Sequence, residues 1–183
     1  MTAYWLFGSR KTLLFCLILA FVLALGIRLY DLDDLPLDFN PARQLFSMLK
    51  ARGMYYAMTP ELPEWQREIA IQQWKSSPVI EPPMLEALVA VSYRAFGENL
   101  AIPRVYSILF WLVGGVFLFL LAQKLTDSNG AFFSLLFYLF LPFGVYASRS
   151  FQPDPLMVAL ILAAAWGMWN WREKLTWRWA IAA

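Results

Sequence analysis

Two short stretches place acids and guanidinium groups at a spacing suited to chemistry. The first is PLDFNPARQ, residues 36–44, where Asp38 is framed by Pro36, Phe39 and Pro41, with Arg43 five residues on. The second is SRSFQPDP, residues 148–155, where Arg149 stands five residues before Asp154 and Pro153 and Pro155 bracket the acid. A carboxylate held by rigid neighbours suits proton abstraction from a hydroxyl. A guanidinium grips a phosphate through two parallel N–H donors, and a helix N-terminus adds partial positive charge. Each residue also has a plainer role. Asp38 and Asp154 serve as solvated loop acids, as Asp31, Asp33 and Asp34 do. Arg43 serves as a side chain snorkelling to an interface, and Arg149 as polar filling of a turn. Glu81, ahead of Pro82-Pro83, reads as a first-turn carboxylate stabilised by the helix dipole. Arg104 reads as an anchor at the start of a helix.

Composition narrows the chemistry. The chain has no histidine. Ser-His and Cys-His dyads and His-ligated zinc are therefore excluded, and acid–base work falls to Asp, Glu, Lys or Tyr. Cys16 is alone, which excludes a disulfide framework and a cysteine metal site. No metal site and no certain cofactor is expected. The net charge is +2 and the basic residues are dispersed, so nucleic acid is not an expected partner.

The positioning elements are membrane helices. Hydrophobic residues make up 60% of the chain and charged residues 15%, against roughly 25% charged in soluble domains. Mean hydropathy is +0.52. The sequence predicts an all-α, multi-pass transmembrane protein. Spans are expected over residues 12–30, 104–122, 131–147 (kinked at Pro142) and 156–171, with a further span beginning at 177–183. Gly114-Gly115 suits close helix packing. A cleaved signal peptide at the N-terminus is disfavoured, because LYDLDD offers no small-residue cleavage site. The chain ends inside a fresh apolar run, which reads as an N-terminal fragment.

Loop charges orient these spans. With a cytoplasmic N-terminus, Arg10, Lys11, Lys124, Arg172, Lys174 and Arg178 all fall inside, which follows the positive-inside rule. Residues 31–103 then form an external loop. Within it, 42–58 and Glu64–Lys75 read as amphipathic helices lying on the outer leaflet, the first with Leu45, Met48 and Leu49 on its apolar face and Pro41 in its first turn. Residues 82–97 are apolar enough to dip into the membrane. If they crossed it, every later segment would invert.

The ordered set PLDFNPAR, ARGMYY, EPPMLEAL, SYRAFGENLAIPRVYSILFWLVG and SRSFQPDPLM resembles the GT-C membrane glycosyltransferases, and most nearly the protein O-mannosyltransferase and aminoarabinose-transferase-like group. The likeness runs from about Phe15 to Trp171. It implies an inverting transferase that takes a sugar from a polyprenyl-phosphate donor on the external face. The acceptor hydroxyl is left open among lipid, glycan and protein. It implies that Asp38 is the general base and that Asp154 shapes the site. Arg43 and Arg149 become candidate grips on the donor phosphate. The implied location is a bacterial plasma membrane. Two departures are visible. The family's acidic pair before the loop helix is Asn40-Pro41 here, and Glu81 stands where relatives carry Lys or His. The family's membrane domain also has more helices than this stretch supplies. The other readings are a non-catalytic binding or assembly subunit, an inactive truncated remnant and, fitting the long external loop poorly, a transporter fragment.

Overall fold

The computed structural model describes residues 7–79 and 81–182. Among these residues every regular element is helical: α1 Arg10–Leu29, α2 Pro41–Ala57, α3 Glu64–Ser76, α4 Met84–Phe96, α5 Ala101–Leu125, α6 Ser128–Phe140, α7 Pro142–Arg149, α8 Asp154–Lys174 and α9 Trp177–Ala182. They group into two compact units. One holds α1, α6, α8, α9 and most of α5 and α7. The other comprises Asp31–Ser107 with Arg149–Pro153.

The first unit is built as a membrane bundle. α1 and α5 are long and apolar enough to cross a bilayer. α6 and α7 form a third candidate span bent by 58°. The bend falls at Pro142, whose ring and missing N–H break the ladder, as the sequence predicts. α8 has 21 residues, but Trp166, Trp169, Asn170 and Trp171 dilute its apolar run. α1 is capped by Ser9, which accepts the Thr12 N–H at 3.2 Å. α6 is capped by Asp127, which accepts the Gly130 N–H at 2.8 Å. Helices meet through small residues: Ala24 and Ala131 are fully buried. A Cβ on Gly114 would lie 2.6 Å from the Tyr138 hydroxyl and 3.4 Å from Ala159 Cα, so the close approach of the diglycine is real. Trp111 stacks on Tyr138 at 4.5 Å, and the Tyr138 hydroxyl donates to the Trp111 carbonyl at 3.0 Å. The outer face of α1, with Leu14, Phe15, Ile18, Val22 and Leu23, is exposed. Such a stripe suits lipid rather than water.

Arg28, near the end of α1, is fully buried in this unit. It donates to the Ser148 hydroxyl at 2.6 Å and to the carbonyls of Ala24 and Leu139 at 3.0 and 2.9 Å. It ties α1 to the end of α6 and to α7.

In the second unit α2 packs against both α3 and α4. Gly53 makes the α2–α3 contact: a Cβ there would sit 2.3 Å from Trp74 Cβ and 2.8 Å from the Ala70 carbonyl. The buried residues of α2 are Gln44, Ser47, Lys50, Ala51, Gly53 and Tyr56, while Leu45 and Phe46 are exposed. The polar face turns inward because its groups find partners and because Ala51 and Gly53 admit close neighbours. The Ser47 hydroxyl, for example, donates to buried Glu86 on α4 at 3.0 Å. Burial pushes the Tyr93 phenol on α4 above its ordinary range. α4 has 13 residues, against about 20 needed to span a bilayer. It therefore ends within the unit, with Gly97 at φ 79° as its C-cap.

Candidate functional site

The site grows from the loop between α1 and α2. Asp31, at φ 48°, turns the chain after α1. Asn40, also at φ 48°, turns it into α2, where Pro41 takes the first helical position. Asn accepts this left-handed backbone more readily than most residues. Between the two turns lies Asp38, its side chain 30% exposed.

Two side chains from helices reach Asp38. Gln44 comes from the first turn of α2, with its Nε2 3.5 Å from Asp38 Oδ1. Arg104 comes from the first turn of α5, with its Nη2 3.8 Å from the same oxygen. Arg104 is 1% exposed. Its Nη1 donates to the carbonyls of Leu32 at 3.0 Å and Asp31 at 3.4 Å. Its Nε and Nη2 make no hydrogen bond among the described residues. A buried guanidinium is tolerated only with charge or dipole partners; here they are one carboxylate and two backbone oxygens.

Arg149 joins the same cluster, donating through Nη2 to the Asp31 carbonyl at 2.9 Å. Two guanidinium groups thus converge on one backbone oxygen. Gln44 also reaches the Arg149–Pro153 segment, accepting the Phe151 N–H at 3.1 Å. The structure therefore brings Asp38, Gln44, Arg104 and Arg149 into one connected network. Arg43 points elsewhere and forms an ion pair with Glu81, its Nη2 alone donating to both carboxylate oxygens. Asp154 opens α8 in the other unit. It is exposed, and no hydrogen bond or ion pair of Asp154 occurs among the described residues. Among those residues, no group of three or more acidic or cysteine side chains is arranged to hold a metal ion.

Arg104 and Gln44 escape a reading by motif. Arg104 did carry a signal, since a cation in the first turn of a helix opposes the dipole and calls for a local anion. Gln44 carried none, because its partners are mostly backbone atoms brought near by folding.

The apolar spans and the buried small-residue crossings define an integral, all-α membrane protein. The family model described as dolichyl-phosphate-mannose-protein mannosyltransferase matches residues 80–183, and the chain belongs to this family of GT-C glycosyltransferases. The matched stretch contains Glu81, Arg104, Arg149 and Asp154, while Asp38, Arg43 and Gln44 precede it. No curated protein and no solved structure matches the chain.

Proposed function

We propose that the protein transfers a sugar from a polyprenyl-phosphate donor to an acceptor hydroxyl, with inversion, on the external face of a bacterial plasma membrane. The observation that carries this reading is the pairing of Asp38 with buried Arg104, beside Arg149. Asp38 takes the proton of the acceptor hydroxyl. The freed oxygen attacks the anomeric carbon from the side opposite the phosphate, and the bond from that carbon to the phosphate oxygen breaks. The polyprenyl phosphate leaves with the electron pair, and the proton remains on Asp38. A phosphate is already a stable anion, so no general acid is needed.

Arg149 binds the departing phosphate, with Arg104 adding positive charge. Its fixed donors stabilise charge without reorganising during the reaction. Arg43 is a further candidate grip, and it meets an anion only by exchanging Glu81 for it. Asp154 is the second candidate acid for the reaction. The long Arg104–Asp38 separation fits a resting state, since catalytic contacts often tighten only when substrate binds. The donor's polyprenyl tail stays in lipid and its phosphate at the interface. The exposed Leu45, Phe46, Trp65 and Ile69 of α2 and α3 suit that boundary.

The test is transfer of label from dolichyl-phosphate mannose in membranes carrying the full-length gene product. Asp38→Asn is expected to lower the rate by about 10²–10⁴-fold, the usual worth of a general base. Asp154→Asn is expected to lower it as well, with protein levels unchanged for both. Native rates in both variants would refute the assignment.

A further inference from the structure

The geometry points to Gln44 as a positioning residue, a buried carboxamide that aims the Asp38 carboxylate and docks the 149–153 segment against the 36–40 loop. The inference rests on the reading of Asp38 as the base.

Gln44 is 0% exposed. Its Nε2 donates to the Phe39 carbonyl at 2.6 Å and the Pro36 carbonyl at 3.4 Å, and it lies 3.5 Å from Asp38 Oδ1. Its Oε1 accepts the Phe151 N–H at 3.1 Å. The orientation of the amide follows from its partners: a backbone N–H only donates, and carbonyl oxygens only accept. Two N–H donors fan across three oxygens of one loop, and the opposite end of the same planar group holds a second segment. Phe151 is itself fully buried, so its amide has little access to any other acceptor.

Side-chain chemistry limits what replaces it. Glu at this position keeps the acceptor for Phe151 but sets a negative charge against the Phe39 carbonyl and Asp38. Met fills a similar space and supplies neither end. A neutral group that donates one way and accepts the other is what the site requires. The charged groups around the pair are Arg104 from α5, with Arg149, Asp34 and Asp33 acting on Arg104. None of them supplies a donor in the Gln44 position.

The experiment compares Gln44→Glu and Gln44→Met in the full-length gene product. It uses dolichyl-phosphate mannose as donor and measures kcat, donor KM, the pH profile and amide exchange at Phe151. Gln44→Met is expected to lower kcat by about 10²-fold, the scale of a misplaced reacting group, with donor KM little changed and faster exchange at Phe151. Gln44→Glu is expected to keep Phe151 protected. It should also move the acidic limb of the kcat profile to higher pH, because a second carboxylate favours the protonated form of Asp38. Native kcat and an unmoved limb in both variants overturn the proposal. So does a loss of activity that merely tracks a lower melting temperature. Full activity in Asp38→Asn removes the base reading itself. Phe151 exchange then decides the docking role alone, and native-like protection in Gln44→Met refutes it.

Discussion

Glu81 and Arg43 form a pair that a substrate phosphate would have to break. Their carboxylate and guanidinium are each one-quarter exposed, so solvent screens part of the attraction. Glu81→Gln removes the competing anion and leaves Arg43 in place. If Arg43 grips the donor, this variant lowers the donor KM, and Arg43→Gln raises it. If the pair is only a brace between the start of α2 and the approach to α4, neither KM moves and both variants lower the melting temperature. Steady-state kinetics on dolichyl-phosphate mannose separate the two. Arg149 differs at this scale, because its guanidinium brings positive charge beside the Asp31 carbonyl, to which Nη2 donates. Arg104 adds to that charge from a position with almost no exposure.

At the scale of elements, α2 organises the second unit. It delivers Gln44 to the Asp38 loop, Ser47 to Glu86 on α4, and Gly53 to the face of α3. Gly53→Ala is expected to destabilise the protein by about 1–3 kcal/mol, the usual range for overpacking. The added methyl meets backbone as well as Trp74. Gly26→Ala on α1 is the control: a Cβ there meets nothing within 4 Å. It should leave the melting temperature unchanged or raise it. Equal melting temperatures for the two variants in detergent would contradict the close α2–α3 packing. The helix positions of α2 and α3 were legible from Pro41 and the apolar spacing. Which face α2 buries was not, because that depends on partners from α4 and on the loop before α2. Leu45, read from the sequence on the apolar face that lies on the outer leaflet, is exposed.

At the scale of the molecule, the bundle constrains the path of the chain. Lys124 near the end of α5 pairs with Glu173 near the end of α8 at 2.8 Å. Gly114 and Ala159 approach closely along the same two helices. α5 and α8 therefore run in the same direction, and the bent α6–α7 pair must carry the chain back between them. With the N-terminus inside, α3 faces out and the turn after α8 faces in. Replacing Cys16 with Ala and placing single cysteines at Glu64 or Thr176 tests this. A membrane-impermeant maleimide added to intact cells is expected to label the first and spare the second. The reverse pattern would invert the topology and place the Asp38 loop in the cytoplasm.

The amino-acid sequence alone determined the all-α membrane class, the break at Pro142, the close diglycine contact and the acids available for chemistry. These follow from local hydropathy, backbone restriction and side-chain inventory, which need no knowledge of distant neighbours. Tertiary structure alone decided which cation meets Asp38. Arg104 lies 66 residues further along the chain than Asp38, whereas Arg43, five residues away, turns to Glu81. Sequence spacing governs only what lies on one helix face. Carboxylates and guanidinium groups from separate elements meet where the packing of α2, α4 and α5 brings them, and that packing is set by small residues and buried polar contacts spread across the chain.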